Sequence, residues 1–306
     1  MRFLSRRNRI KRSPGELVFD GFNSLMMLVF AGVTLYPFWY VLIYALNNSQ
    51  DAYGGGLWFW PRKFTFENIV YVMSAPALRN AYAVTVARTV LGPILHLIVT
   101  GFAAYALSKR HLPGRKAFTY YLIVPFFMGA PIVATYVVFA RIGLMNNFLV
   151  YILPGAFGFF MMAIARALFE EIPASLEESA KMDGAGYLRI FFQLILPLST
   201  PIVATILIFS AVGHWLDFYT NFIFVQTPKL STLQYLLYQY QHGQEFVPSL
   251  AGTGLNTTAA GVSKTKISTD TLQATTLIVI TLPIIFVYPF FQGYIIKGLL
   301  VGSIKE

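Results

Sequence analysis

The stretch Glu170–Pro201, EEIPASLEESAKMDGAGYLRIFFQLILPLSTP, is the most informative part of this 306-residue chain. It is too polar to cross a bilayer, although long apolar runs flank it. Ser175 followed by Glu178 has the S-x-x-E spacing of a capping box, which satisfies two backbone donors at a helix start. Gly184 stands where a helix end favours a residue with positive φ. The pattern predicts a two-turn helix over Leu176–Asp183 that stops at a glycine corner.

A second helix is predicted directly after this corner. Its apolar residues recur at the i, i+3, i+4, i+7 and i+8 positions of one helical face, and the stripe ends at Pro197. Two short helices that meet at a rigid corner form a lever on which another protein could push. The residues of the stripe are Tyr187, Ile190, Phe191, Leu194 and Ile195.

The rest of the chain is unusually apolar. Hydrophobic residues make up 56% of it and charged residues only 12%, whereas an ordinary soluble domain is about 25% charged. A bilayer core needs roughly 20 apolar residues per helix. We therefore predict an all-α membrane protein whose transmembrane domain, residues 22–297, has six transmembrane helices, at about 22–46, 81–107, 118–140, 148–169, 198–225 and 271–296.

The second and fifth of these runs contain ionisable residues, which are functional candidates for that reason: Arg88, His96, His214 and Asp217. A central arginine costs roughly 3 kcal/mol on the insertion scale, which the Leu, Ile, Val and Phe residues of the same run offset. Arg88 and Asp217 both lie toward the outer ends of their runs. This placement allows an ion pair between them.

The distribution of basic residues predicts the orientation. The net charge is +10, and Lys and Arg are more than twice as dense in one set of loops as in the other. Cytoplasmic loops carry this excess, so both termini are predicted to be cytoplasmic. The cytoplasmic segments are then an arm (1–21), a short loop (108–117), a loop between the fourth and fifth helices (170–197) and a tail (298–306). The extracytoplasmic segments are 47–80, 141–147 and the longest loop, 226–270.

Several classes of protein are excluded. The chain has no cysteine, which removes thiol catalysis and thiolate metal sites. It has no G-x4-G-K-[ST] phosphate loop, so it cannot hydrolyse ATP by itself, and it has no metal cluster or nucleophile motif. Because the basic residues border apolar runs, the positive charge indicates a lipid bilayer and no nucleic acid.

The residues of the polar stretch resemble a known family. Glu178-Ser179-Ala180-x3-Gly184-x9-Leu194-Ile195-Leu196-Pro197 is similar to the E-A-A-x3-G-x9-I-x-L-P signature of importer permeases of the ATP-binding-cassette (ABC) superfamily. It departs from that signature by serine at the second position and by leucine at the isoleucine position. The strings DGA, LILPLSTP and the terminal KGLLVGSIKE resemble the shorter permease of the maltose-type, carbohydrate-uptake branch.

The resemblance implies a type I ABC importer permease fold, in which the loop 170–197 docks into a cleft on an ATPase subunit. For Glu178 the alternative is capping alone, and for Gly184 a plain helix end. The tail 298–306 is expected to reach toward the same ATPase interface. The candidate coupling residues are Glu178, Ser179, Ala180, Asp183, Gly184, Leu196 and Pro197.

The resemblance also implies partners and a location. These are a sister permease in a heterodimer, two ATPase subunits that use ATP and Mg, an extracytoplasmic solute-binding protein and a carbohydrate substrate. The chain is expected to be a multi-pass protein of the bacterial cytoplasmic membrane, with no catalytic residue and no cofactor or metal of its own. Its function would be that of a permease subunit of an ATP-driven importer of sugars, oligosaccharides in particular.

Candidate substrate contacts are the aromatic and amide residues near the outer end of the fifth run, for which interfacial anchoring is the alternative: Trp215, Tyr219, Asn221 and Gln226. In the loop 226–270, the residues proposed to face the binding protein are Gln244, Gly252, Gly254 and Asn256, with a flexible linker as the alternative.

Two other functions stay open at this point: an ABC permease for a non-sugar solute, and an ion-gradient-driven secondary carrier. Such a carrier is expected to have inverted repeats and coupling carboxylates at mid-membrane. Asp217 is the only acidic candidate, and it lies at the end of a run.

Overall fold

A computed structural model describes residues 14–52, 54–242, 270–283 and 285. These residues are helical, and no strand occurs among them beyond a single bridge between Asn47 and Phe64. The chain divides into two units, Met1–Ile69 with Thr265–Ile278, and Val70–Lys264 with Val279–Glu306. Each unit is treated by itself below.

The helices, in chain order, are α1 (Pro14–Leu46), α2 (Ser49–Ala52), α3 (Glu67–Ser74), α4 (Pro76–Ser108), α5 (Arg115–Met128), α6 (Ile132–Arg141), α7 (Phe159–Glu170), α8 (Ala174–Met182), α9 (Tyr187–Leu198), α10 (Thr200–Leu216), α11 (Tyr219–Phe224) and α12 (Leu233–Gln241). Residues 270–283 are also helical. Short 3-10 turns occur at Phe148–Tyr151 and Pro228–Leu230, and α9 contains a π-helical turn at Phe191–Ile195.

In the first unit, the loop after α1 is held by buried amide groups. Asn47 Oδ1 accepts a hydrogen bond from the Lys63 N–H at 2.8 Å, and Asn68 Nδ2 donates to the Asn47 carbonyl at 2.8 Å. Asn47 Nδ2 also donates to Asp51, and this bond, together with Arg62, holds the pKa of Asp51 below its usual range. The loop is therefore an ordered structure.

The second unit is built around α4. This helix packs along α10 and α7, and a Cβ atom added at Gly92 would lie 2.2 Å from Nε2 of His214. A side chain at position 92 would therefore require the His214 ring of α10 to move. The buried core that joins α4, α7, α9 and α10 contains Ala104, Tyr105, Leu107, Met162, Ala165, Phe169, Ile190, Phe191, Ile195, Ile202 and Ile206.

Two of the predicted spans are single helices that are long and apolar enough to cross a membrane. These are α1 and α4, which contain the predicted spans 22–46 and 81–107. The helices α5 and α6 form a pair bent by 115° where a single span over 118–140 was expected. Pro131 lies at this break and cannot donate the backbone hydrogen bond that a continuous helix requires.

The fourth and fifth predicted spans are also interrupted. Within 148–169 a 3-10 turn is followed by a non-helical segment that contains Pro154, and α7 begins only at Phe159. Pro154 explains this interruption, because proline weakens a helix that periodicity alone predicts to be continuous. The axes of α9 and α10 differ by 90° at Ser199, where the predicted loop 170–197 passes into the fifth span. The fifth span is interrupted further on, because α10 ends at Leu216 before the separate helix α11.

The sixth predicted span, 271–296, is described only over 270–283 and residue 285, which are helical. The cytoplasmic arm 1–21 is described only from Pro14, and the tail 298–306 lies outside the described residues. That the chain crosses the membrane six times, and that both termini are cytoplasmic, remain predictions.

The packing of the core in the second unit predicts that two phenylalanines contribute differently to the stability of the protein. Phe191 is fully buried, with its ring centroid 4.4 Å from that of Phe102, and Phe191→Ala would remove a large buried side chain at a cost of about 3–5 kcal/mol. We expect a clear drop in the thermal unfolding midpoint of the detergent-solubilised protein. Phe160→Ala is the control, because Phe160 is 60% exposed. Equal drops for both variants would contradict this account of the core.

Candidate functional site

The first helix of the polar loop between α7 and α10 does not begin at the residue that the sequence predicts. The helix α8 begins at Ala174, with Pro173 as its N-cap and no side-chain capping bond. The predicted capping box was wrong, because Ser175 lies inside the first turn and not at the N-cap. Pro173 explains the earlier start, since its fixed φ of −57° suits the entry to a helix. Glu178 is thereby released from a capping role, and its side chain is exposed.

The glycine corner at the end of α8 has the backbone conformation that the sequence predicts. Gly184 has a φ of +78°, and its N–H donates to the Lys181 carbonyl at 2.9 Å, while the Ala185 N–H donates to the Ala180 carbonyl at 2.9 Å. This pair of bonds is a Schellman motif, which satisfies the last carbonyls of a helix. Because Ala180 and Ala185 both pack against the buried core, the corner is anchored on one side and exposed on the other.

The candidate coupling residues divide between these two sides. Glu178, Ser179, Asp183 and Gly184 are all exposed, and they lie next to Met182, which is 89% exposed. The half-buried members of the set, Ala180 and Leu196, pack against the core, whereas Pro197 is exposed near the end of α9.

One residue that the sequence analysis missed ties α8 to α4. Glu177 is buried, and its carboxylate pairs with Lys109 Nζ and accepts a hydrogen bond from the Tyr105 hydroxyl at 3.4 Å. Lys109 Nζ also lies 4.2 Å from the centre of the Tyr105 ring. Glu177 is three positions before Ala180, and therefore on the same helical face. This spacing was the one available signal, because Glu177 and Glu178 are otherwise indistinguishable in sequence.

A cavity of about 380 Å³ lies in the second unit among α4, α7, α10 and the turn at Phe148–Tyr151. Its walls are apolar in part, but several polar side chains reach it from helices that are otherwise apolar. The residues that line it are Arg88, His96, Val150, Tyr151, Pro154, Gly155, Met161, Ile206, Phe209, Ser210, Gly213, His214, Asp217 and Thr220.

Arg88 and Asp217 form the ion pair that their positions allowed. Arg88 Nη2 lies 2.5 Å from Asp217 Oδ2, and Nη1 donates to the Asp217 carbonyl at 3.1 Å. The other carboxylate oxygen accepts the Thr220 N–H at 3.1 Å. The guanidinium carbon is 4.4 Å from the centre of the Tyr151 ring. The pair joins α4 to the segment between α10 and α11, and its two charges compensate each other.

The residues predicted to contact substrate do not line this cavity. Asn221 is fully buried, and its amide bonds the Val225 carbonyl and the Thr232 N–H. Trp215 is buried with no partner for Nε1, Tyr219 is half exposed, and the Gln226 N–H donates to Asn146 Oδ1. Their role in a substrate path stays a prediction. The predicted loop residues Gln244, Gly252, Gly254 and Asn256 lie outside the described part of the chain.

The ion pair predicts non-additive mutations. Arg88→Leu leaves the Asp217 carboxylate without its cation, and Asp217→Asn leaves a guanidinium that is only 2% exposed. Removing one partner of a buried pair costs about 3–5 kcal/mol, so we expect each single variant to lower the unfolding midpoint strongly. The double variant should lose less than the sum of the two. Strictly additive losses would mean that the two charges do not stabilise each other.

Comparisons with known proteins agree with this architecture. Residues 13–301 match the family described as binding-protein-dependent transport system inner membrane component. Protein LplC of Bacillus subtilis is 31% identical, covering 94% of this chain and 95% of its own length. The polygalacturonan/rhamnogalacturonan transport system permease protein YtcP of the same organism is 30% identical, with coverages of 94% and 98%.

A solved structure is also similar. It is a chain from the crystal structure of a bacterial ABC transporter involved in the import of the acidic polysaccharide alginate. The TM-score is 0.82 at 27% sequence identity, over 92% of this chain and 98% of that chain. The fold is that of a type I ABC importer permease. The chain belongs to the family of binding-protein-dependent transport system inner membrane components, the permease subunits of ABC importers.

Proposed function

We propose that this chain is a permease subunit of an ATP-driven importer of sugars, oligosaccharides in particular, in the bacterial cytoplasmic membrane. It forms half of the translocation pathway, and a separate ATPase drives it between inward-open and outward-open states. The names of the relatives support a polysaccharide-derived substrate, because YtcP and the alginate importer both handle such material.

The observation that carries the proposal is the geometry of the α8 corner. Its exposed side presents Glu178, Asp183 and Gly184 to a partner, and its anchored side is fastened to the helix bundle. A push on the exposed side would pass to α4 through Glu177 and Lys109, and to the core through Phe191 of α9. A helix attached in this way moves together with the elements it contacts.

Contacts between loops support the predicted topology. Lys109 follows α4 in a segment predicted to be cytoplasmic, and it pairs with Glu177 of the loop predicted to lie on the same side. On the predicted outer side, Asn146 Oδ1 accepts a hydrogen bond from the Gln226 N–H at 2.6 Å. Asn80 Nδ2 donates to the Lys229 carbonyl, which lies in the same loop as Gln226, at 2.6 Å. Both sets of contacts fit six membrane crossings with cytoplasmic termini.

The proposed partner subunits supply functions that a single permease subunit does not have. We propose a sister permease that completes the pathway as a heterodimer, two ATPase subunits that bind ATP and Mg, and an extracytoplasmic binding protein that delivers the sugar. The chain itself carries no phosphate-loop motif. The secondary carrier is disfavoured because Asp217, its one candidate for a coupling carboxylate, is paired with Arg88.

Two glycines provide a matched test of the corner. Gly184 has a φ of +78° and Gly186 a φ of −74°, and a Cβ at either position would meet open space. Alanine at Gly184 therefore adds only backbone strain, about 1–2 kcal/mol, whereas alanine at Gly186 adds none. We expect Gly184→Ala to lower both sugar uptake and sugar-stimulated ATPase activity in proteoliposomes that contain the whole complex.

The Gly186→Ala complex is the control and should retain both activities. Binding of the ATPase subunits to each variant is measured by co-purification. Normal uptake and normal stimulation in Gly184→Ala, and also in the more disruptive Gly184→Pro, would overturn the proposed coupling role of the corner.

Charge reversal tests the attachment of α8 to α4. Glu177→Lys places two ammonium groups together, and we expect fewer sugar molecules to be imported per ATP hydrolysed. The double variant Glu177→Lys/Lys109→Glu restores opposite charges and should recover much of this ratio. Glu171→Lys is the control, because Glu171 is exposed. A ratio that falls with Glu177→Lys but is not recovered by the double variant would argue against a specific pair.

A further inference from the structure

The cavity beside Arg88 brings together polar side chains from helices that are otherwise apolar, and it opens to the surface beside Phe209 and Gly213. His96 lies on α4, and Ser210 and His214 lie on α10, which are both apolar helices. Polar side chains within membrane-spanning segments almost always face a protein interior or a water-filled cavity, and they mark substrate pathways. The proposed function assigns no role to these three residues.

The charged groups of the cavity are paired with each other, although Arg88 Nε is buried without a hydrogen-bond partner. Arg88 uses both terminal nitrogens on Asp217, and the two carboxylate oxygens of Asp217 bind Arg88 and the Thr220 N–H. Because Asp217 compensates the charge of the guanidinium, an anionic ligand would have to displace Asp217 to gain an uncompensated cation. The ion pair is therefore a poor recognition site for a carboxylate, and the groups left for a ligand are imidazoles, hydroxyls and the single N–H of Arg88 Nε.

The hydrogen bond that His96 makes determines which ring nitrogen is left to bind a ligand. Nδ1 lies 2.7 Å from the Gly155 carbonyl oxygen. Because a carbonyl only accepts, Nδ1 carries a proton, and in the imidazole form Nε2 is then the acceptor. An acceptor at this position suits a hydroxyl donor and disfavours a carboxylate. The Ser210 hydroxyl can both donate and accept.

Glycines hold the two imidazole rings in place. A Cβ at Gly158 would lie 2.7 Å from Cε1 of His96, and a Cβ at Gly92 would lie 2.2 Å from Nε2 of His214. Each ring is thus packed against backbone where no other residue would fit without a shift. Side chains fixed before binding lose less entropy when a ligand arrives.

We propose that this cavity is a sugar-contact site of this subunit, and that it recognises the hydroxyl groups of an uncharged glycosyl unit. The inference rests on the proposed function. His96 and Ser210 bind hydroxyls, and the apolar wall that includes Met161 and Phe209 contacts the C–H faces of the ring. The volume of about 380 Å³ falls within the range of about 300–1,000 Å³ for small-molecule sites.

The absence of cysteine from the sequence makes a direct test available. Ser210→Cys places a single thiol in the cavity, and Ser74→Cys places one at an exposed position away from it. The complex is assembled with cysteine-free companion subunits. Labelling by a small thiol reagent is then measured in detergent, both without nucleotide and after trapping with ATP and vanadate. The sugar probes are galactotriose, which is neutral, and trigalacturonate, which is acidic.

We expect galactotriose to slow labelling at position 210 in one of the two states, by about ten-fold at ten times its apparent dissociation constant. Labelling at position 74 should not change. Adding His96→Leu to Ser210→Cys should weaken this protection, whereas Gly186→Ala should not. Trigalacturonate should protect no better than galactotriose.

Two outcomes overturn the inference. If neither sugar protects position 210 in either state, the cavity is not a sugar site. If trigalacturonate alone protects it, the site recognises charge and the hydroxyl assignment is wrong. Failure of the proposed function is a separate result, in which the unmodified complex in proteoliposomes imports no sugar on addition of ATP.

Discussion

Close packing of α4 against α7 and α10 is the constraint on which the second unit depends. At Gly92 the His214 ring occupies the space that a side chain on α4 would need. The same helix carries Arg88, buried and paired with Asp217, and it is followed directly by Lys109, paired with Glu177. One helix thus connects the α8 corner to the cavity, through partners that lie 68 and 129 positions away along the chain.

The two ion pairs that join α4 to other segments differ in position and in burial. The Glu177–Lys109 pair lies where α8 meets the end of α4, with a tyrosine beneath the ammonium group. The Arg88–Asp217 pair lies deeper, and the guanidinium is almost wholly buried. Both pairs replace hydration that these charges lose on burial, and both connect α4 to a segment that follows a helix break. The breaks are therefore held in defined positions.

Sequence patterns predicted some of these features and missed others for physical reasons. The positive φ of Gly184 and the helical class were predictable, because both depend on local chemistry or on composition. The start of α8 was not, since Pro173 competes with Ser175 as an N-cap. The break at Ser199 agrees with the predicted end of the second helix at Pro197. The size of the bend near Pro131 was not predictable, because an apolar run does not reveal how far its backbone turns. The burial of Glu177 depends on a contact with a distant helix.

The compensation of charge at Arg88 and Asp217 has an energetic consequence for a protein that changes shape within a membrane. A single elementary charge moved through the full potential gains or loses about 2.3 kcal/mol per 100 mV. A pair that is translated as one body carries no net charge, so the electric field does no net work on its translation. Displacement of this pair along the membrane normal is thereby insulated from membrane voltage, and its direction is left to whatever binds at the two faces of the subunit.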